Sequence, residues 1–97
     1  MGIPSRILVI GPSGAGKSTL ARAIGARLDL PVVHLDALFW QPGWVESDDA
    51  EFRARIAAVA DTDAWVIDGN YSRHLDVRLA RAQAAIWLDL QIGRAHV

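Results

Sequence analysis

The sequence predicts an α/β protein with a three-layer parallel sheet, in which four strands are present. Four short runs of apolar and β-branched residues recur along the 97 residues of the chain. Segments with helical periodicity separate these runs, and the resulting order β-α-β-α-β-α-β favours parallel strands joined by right-handed crossovers. Ligands bind beyond the carboxyl ends of the strands in such a sheet, so we expect the functional residues at that edge.

The first predicted strand, residues 7–10, leads directly into an octapeptide, residues 11–18, with the sequence GPSGAGKS. It fits the phosphate-loop pattern G-x-x-x-x-G-K-[ST] at every position. Its glycines let successive N–H groups turn toward a polyphosphate, and the helix predicted over residues 18–30 adds its positive dipole end. The pattern predicts an ATP site with Mg²⁺ as cofactor.

The individual roles in this loop follow from the pattern. Lys17 is expected to reach the β- and γ-phosphates and to take part in transfer, and the Ser18 hydroxyl is expected to ligate Mg²⁺. A glycine-rich turn with a surface lysine is the alternative, which the strand before and the helix behind disfavour. The residues expected to bind the nucleotide are Gly11, Pro12, Ser13, Gly14, Ala15, Gly16, Lys17, Ser18 and Thr19.

The second strand and the segment after it form the next part of the prediction. Pro31 ends the first helix, because proline cannot continue it. Residues 32–35 form a short strand that precedes Asp36, and His34 within it is expected to be a packed core residue. We expect residues 37–46, which are rich in aromatic side chains, to form a loop.

A second helix and two further strands complete the pattern. Asp48 and Glu51 have capping-box spacing at the start of the helix, whose apolar face carries Phe52, Ile56 and Val59. The third strand, residues 64–67, ends at Asp68-Gly69. A short helix from Ser72 to about Ala82 precedes the fourth strand, residues 85–88, which ends at Asp89.

Carboxylates and an arginine near the strand ends suit phosphoryl transfer, which needs positioned phosphates, a metal and charge neutralisation. Asp68 follows an apolar strand and is the expected Mg²⁺ partner of Ser18. Asp36 either orients an acceptor hydroxyl and takes its proton or only caps the loop that follows. Arg73 suits an anionic acceptor, since a guanidinium binds such groups with two hydrogen bonds.

The other charged residues near the site are interpreted as surface residues. Arg78 and Arg81 are three positions apart, and a solvated charged face is the commoner explanation for such a pair. His74 is expected at the surface.

Composition excludes several classes of protein. A chain that is 52% hydrophobic and 22% charged, with a net charge of −1, is globular rather than disordered. It lacks the basic face of a nucleic-acid binder and any run of about 18 apolar residues that crosses a membrane. The absence of cysteine fits a reducing cytoplasm. The expected partners are a nucleoside triphosphate and an unidentified small-molecule acceptor.

Four segments carry a resemblance to a known family: the phosphate loop, HLDALFW from His34, WVIDGNYS from Trp65 and IWLD from Ile86. Together they resemble the adenylate-kinase-related P-loop proteins labelled DNA topology modulation protein. The resemblance implies a fold of the P-loop NTPase and nucleoside-monophosphate-kinase type, with the third strand between the first and second. Asp68-Gly69 matches the start of the monophosphate-binding segment of adenylate kinases, which continue Phe-Pro-Arg where this chain has Asn-Tyr-Ser before Arg73.

The end of the chain departs from that resemblance. The family continues into a lid, a fifth strand and a base-contacting loop, so we expect residues 1–91 to be an incomplete core with an unpaired edge at residues 86–88. One reading frame of a widely used short-read sequencing adapter encodes the last six residues, IGRAHV. We expect residues 92–97 to be encoded by the adapter, the alternative being an ordinary basic tail.

Two functions follow from these residues. The first is a small-molecule kinase that transfers the γ-phosphoryl group of ATP, with Lys17, Asp36 and Arg73 as catalytic residues. The alternative is a nucleotide-dependent switch or regulatory NTPase without a small-molecule acceptor. Without a lid to exclude water, we expect this chain to bind triphosphate but to be impaired in transfer.

Overall fold

A computed structural model describes residues 3–12, 16–41, 45–46, 48–69, 74–89 and 94–96. Its elements follow the chain in the order β1 Arg6–Ile10, α1 Lys17–Leu28, β2 Val32–His34, α2 Leu35–Phe39, β3 Trp40–Gln41, β4 Val45–Glu46, α3 Asp49–Ala60, β5 Trp65–Gly69, α4 Leu75–Arg81, β6 Ala84–Asp89 and β7 Arg94–His96.

The main sheet has the strand order β2-β5-β1-β6-β7. The first four of these strands are parallel, as predicted, and β5 lies between β2 and β1. Strand β5 is buried along its whole length, as expected for a strand that is paired on both sides and covered on both faces. The α/β class and the implied position of the third predicted strand are therefore confirmed.

Helices cover both faces of the sheet, which gives the three predicted layers. On one face, Ala21 of α1 forms a small buried cluster with Ile7 and Val9 of β1 and Val66 of β5. On the other face, α2, α3 and α4 enclose the larger cluster of Leu8, Ile10, Leu35, Phe52, Ile56, Ala60, Trp65 and Ile67. Alternate residues of each strand therefore point into different layers.

The segment predicted as a loop over residues 37–46 contains regular structure instead. Helix α2 follows β2 without a break, and β3 pairs with β4 in an antiparallel hairpin. Leu35 and Leu38, three positions apart, both pack toward the larger core cluster, and this spacing suits one face of a helix. Leu35 thus belongs to α2 and not to the strand. The aromatic side chains of this segment lie outside the part of the chain that the structure describes.

Strand β6, which was expected to form an edge of the sheet, is paired with β7. Trp87, Leu88 and Asp89 face His96, Ala95 and Arg94 of β7 in an antiparallel register. Strand pairing uses backbone N–H and C=O groups, which any extended segment supplies. The expectation of an unpaired edge over residues 86–88 is therefore wrong for Trp87 and Leu88. The pairing does not test whether residues 92–97 are encoded by the adapter.

His74 has a structural role between α3 and α4, and only 12% of its side chain is exposed. Its Nε2 donates to Asp49 over 2.9 Å, and its Nδ1 lies 3.1 Å from Arg53 Nη1. The ring also meets Phe52 edge-on, at a centroid distance of 5.9 Å. These contacts correct the expectation of a surface histidine. Helix α4 begins at Leu75, and His74 before it has a left-handed conformation with φ of 54°. Ser72, the predicted start, lies outside the described residues.

Within the described ranges, no helix combines the length and the apolar character needed to cross a bilayer.

The predicted cap of α3 is present and offers a test of the fold. Asp48 accepts a hydrogen bond of 2.8 Å from the backbone N–H of Glu51. We expect Asp48→Ala to lower the free energy of unfolding by about 1 kcal/mol, because an N–H group in the first turn of the helix loses its acceptor. Urea denaturation measures the change. Asp48→Asn keeps an acceptor oxygen and should retain most of the stability, so equal losses in both variants would contradict this role.

Candidate phosphate-binding site

The site begins where β1 passes into α1. Gly16 adopts a left-handed conformation with φ of 85°, which a residue with a side chain rarely takes, and α1 starts at the next residue. The backbone N–H of Leu20 donates to the carbonyl of Gly16 over 3.0 Å, so the first helical hydrogen bond closes around this turn. Lys17, Ser18 and Thr19 form the first turn of the helix, where backbone N–H groups have no acceptor within the helix.

The amino end of α1 is positively polarised. Among the residues that the structure describes, no side chain caps it, and its first turn contains no acidic residue. Helix α3 has the same length of 12 residues but carries Asp48 as its cap and Asp49 and Glu51 in its first turn. The positive end of α3 is thus compensated within the chain, whereas the described residues provide no such compensation for α1.

Strand β5 delivers its carboxyl end to the same place. Gly11, the first residue of the phosphate-loop motif, donates its N–H to the carbonyl of Gly69 over 3.3 Å. In the parallel register, Ile10 of β1 faces Gly69, and Val9 faces Asp68. The loop therefore leaves the sheet beside Asp68 and Gly69.

Asp68 is buried and hydrogen-bonded to His34, which was expected to be a packed core residue. The His34 Nδ1 contacts the Asp68 Oδ2, and the two residues are directly paired between β2 and β5. The side chain of His34 is 37% exposed, whereas that of Asp68 is 5% exposed. His34 is thus a half-buried partner of Asp68, and its interpretation as a packed core residue was wrong. The strand order implied by the resemblance makes β2 and β5 neighbours, but only the register reveals this pair.

Strand alternation places this pair on the same side of the sheet as α1. Val66 lies two residues before Asp68 and packs in the cluster beneath α1, as does Val32, two residues before His34. Side chains two positions apart along a strand share a face. Asp68 and His34 therefore lie in the layer whose helix begins at Lys17.

The opposite side of the same strand end is closely packed. A Cβ added to Gly69 would lie 2.7 and 2.9 Å from side-chain atoms of Leu35, and 3.3 Å from Nη1 of Arg78. Arg78 is fully buried, and this burial lowers the pKa of its guanidinium. Its expected place on a solvated face was therefore wrong, because a spacing of three residues cannot tell which side of a short helix faces the core. Arg81 is exposed and donates from Nε to the carbonyl of Ala60 over 3.2 Å.

The remaining predicted site residues have different outcomes. Asp36 lies in the first turn of α2, two residues beyond the end of β2, and is exposed. It was expected directly at the strand end, but the strand stops at His34 because the chain enters α2 with Leu35. Gly11 and Pro12 lead from β1 into the loop, while Ser13, Gly14, Ala15 and Arg73 lie outside the described residues.

The oxygen-bearing side chains near the strand ends can be compared with the ligands that Mg²⁺ needs when it binds together with a nucleotide. Within the described part of the chain, no group of three or more His, Cys, Asp and Glu side chains is placed to hold a metal ion by itself. Mg²⁺ needs no such group when it is bound through one or two protein oxygens together with substrate phosphates and water. The Ser18 hydroxyl and the Asp68 carboxylate are oxygen donors of the kind that this role requires.

Comparison with known proteins relates this chain to a family and to two kinases. A family model described as AAA domain matches residues 7–91. Shikimate kinase of Halorhodospira halophila is 42% identical over 65 residues, covering 60% of this chain and 37% of that protein. Adenylate kinase of Clavibacter michiganensis subsp. michiganensis is 32% identical over 87 residues, covering 88% of this chain and 42% of that protein.

A solved structure supports the fold independently. The crystal structure of shikimate kinase from Bacteroides thetaiotaomicron superposes with a TM-score of 0.67 at 21% identity, over 90% of this chain and 58% of that one. Because the two sequences are only 21% identical, this structural similarity establishes the fold of the chain and not its activity. The chain spans 37% and 42% of the two curated relatives, so it corresponds to less than half of each.

Gly69 provides a test of the packing behind the site. We expect Gly69→Ala to lower the free energy of unfolding by about 1–3 kcal/mol, because the added methyl group overlaps Leu35 in a closely packed layer. The midpoint of urea denaturation measures this loss. An unchanged midpoint would show that α2 does not close on the end of β5.

Proposed function

The chain belongs to the AAA-domain family, and from this premise we propose that the complete protein is an ATP-dependent small-molecule kinase. The observation that carries the proposal is the uncapped amino end of α1, which follows the left-handed turn at Gly16 and begins with Lys17 and Ser18. A compensated helix end has no need of an external anion, whereas this one is built to accept phosphate. The similarity to shikimate and adenylate kinases supports a kinase among the possible nucleotide-dependent functions.

We assign the nucleotide to the turn between β1 and α1. The backbone N–H groups of residues 13–19 and the Lys17 ammonium hold the β- and γ-phosphates. The Ser18 hydroxyl and the Asp68 carboxylate hold Mg²⁺, directly or through water. When bound, the metal would neutralise the charge that develops on the phosphates during transfer.

Two further residues are assigned to the acceptor. Asp36 accepts the proton of the acceptor hydroxyl while that oxygen bonds to the γ-phosphorus. The bond between the γ-phosphorus and the β,γ-bridging oxygen breaks, and ADP leaves with the electron pair. Arg73 binds an anionic group of the acceptor. The exposure of Asp36 in the first turn of α2 leaves its carboxylate accessible for this role.

We assign the complete protein more narrowly to the P-loop proteins labelled DNA topology modulation protein. Support comes from the segments around His34, Asp68 and Asp89, which carry the resemblance. The net charge of −1 supports a small-molecule acceptor in preference to nucleic acid.

The acceptor is tested with the complete reading frame, recovered from the source DNA. Purified protein is incubated with Mg²⁺-ATP and a panel of nucleosides, nucleotides and small hydroxylated metabolites, and phosphorylated products are detected by mass spectrometry. A phosphorylated acceptor supports the kinase. Binding or hydrolysis of ATP without transfer to any acceptor would instead support a regulatory NTPase or switch.

The nucleotide site is tested in the present chain by Lys17→Ala. We expect the substitution to abolish measurable binding of ATP, because losing about 3 kcal/mol of charge-assisted hydrogen bonding weakens affinity more than 100-fold. Isothermal titration calorimetry measures the affinity. Arg22→Ala removes an exposed cation from the next turn of the same helix and should leave affinity unchanged. Unchanged affinity in Lys17→Ala would show that the site is misplaced.

A further inference from the structure

We propose that His34 is a positioning residue that orients the Asp68 carboxylate toward the metal of the bound nucleotide. The inference rests on the proposed function, since it assigns Asp68 to Mg²⁺. It adds a residue that the phosphate-loop pattern does not contain. Its basis is the direct contact between the His34 Nδ1 and the Asp68 Oδ2 at the carboxyl edge of the sheet.

The backbone fixes the relative position of the two side chains. His34 and Asp68 are register partners in adjacent parallel strands, so their Cα atoms are held by the hydrogen bonds of the sheet. His34 is the last residue of β2, and Asp68 is the next-to-last residue of β5. Both side chains lie on the α1 side of the sheet, where the proposed phosphate site is located.

Burial makes the contact necessary for Asp68. A carboxylate that is 95% buried, as the 5% exposure of this side chain implies, is stable only when its oxygens have hydrogen-bond partners. A carboxylate can only accept, so the His34 Nδ1 is the donor in the pair. The bond holds Oδ2 on the β2 side and leaves Oδ1 as the oxygen that we assign to the metal or its water.

The bond also limits rotation of the carboxylate. Without a donor on Oδ2, the carboxylate can turn about its terminal bond and present either oxygen, or neither, to the metal. Mg²⁺ requires nearly ideal octahedral geometry, so a misdirected oxygen reduces its affinity. Outer partners of metal ligands typically contribute about 10- to 100-fold to metal affinity.

The test compares two amides at residue 34 in the present chain. His34→Asn places an N–H group where Nδ1 was, whereas His34→Gln carries the same amide one carbon farther out, near the position of Nε2. Mn²⁺ replaces Mg²⁺ as the probe, and its binding in the presence of ADP is followed by the electron paramagnetic resonance signal of free Mn²⁺. Metal-free ADP affinity is measured by calorimetry, and folding is checked by thermal denaturation.

We expect His34→Gln to weaken Mn²⁺ binding about 10- to 100-fold, with metal-free ADP affinity unchanged within about twofold. His34→Asn should restore most of the Mn²⁺ affinity. A bond that only stabilised the fold would lower the melting temperature and leave the Mn²⁺ affinities of the two folded variants equal, which would overturn the positioning role. If the His34→Gln variant does not fold, His34→Leu, which is similar in volume and has no donor, takes its place in the comparison with His34→Asn.

The outcome for the unaltered chain separates this inference from the function on which it rests. Failure of the unaltered chain to bind ADP would overturn the nucleotide site and the positioning role together. Tight ADP binding with equal Mn²⁺ affinity in the donor and non-donor variants would overturn only the role of His34.

Discussion

The central position of β5 is the constraint on which the candidate site depends. Because this strand lies between β1 and β2, its carboxyl end borders both the phosphate-loop motif and the end of the second strand. Gly69 accepts a hydrogen bond from Gly11 on one side, and Asp68 meets His34 on the other. If β5 lay at an edge of the sheet, one of these two contacts would be lost, and the carboxylate would have no fixed place relative to the nucleotide.

Strand alternation divides the end of β5 between two different tasks. Asp68 lies on the α1 side, where the helix end is polar and open to ligand, whereas Gly69 lies against Leu35 and Arg78 in the layer formed by α2, α3 and α4. The polar residue and the small residue are adjacent in sequence but separated by the sheet. Asp-Gly at this point therefore combines a carboxylate on the α1 side with the close packing that holds α2 over the strand end.

Sequence reasoning succeeded where a pattern was local and failed where a contact depended on register or on the side of a short helix. The four parallel strands follow from apolar runs, and the cap at Asp48 follows from its spacing to Glu51. The pair of His34 and Asp68 is 34 positions apart in the chain, and only the register of β2 on β5 joins them. Arg78 carries no local sign of burial, because its place beside Gly69 depends on how α4 packs on the sheet.

The two 12-residue helices differ in how the chain treats their amino ends. Each helix has N–H groups in its first turn that need acceptors. In α3 the chain itself supplies the acceptor through Asp48, and Asp49 and Glu51 offset the positive end. In α1 the cap position is Gly16, which has no side-chain acceptor, and no other described residue caps the helix start. An anion at this end, as proposed above, would supply the acceptors that the described residues do not.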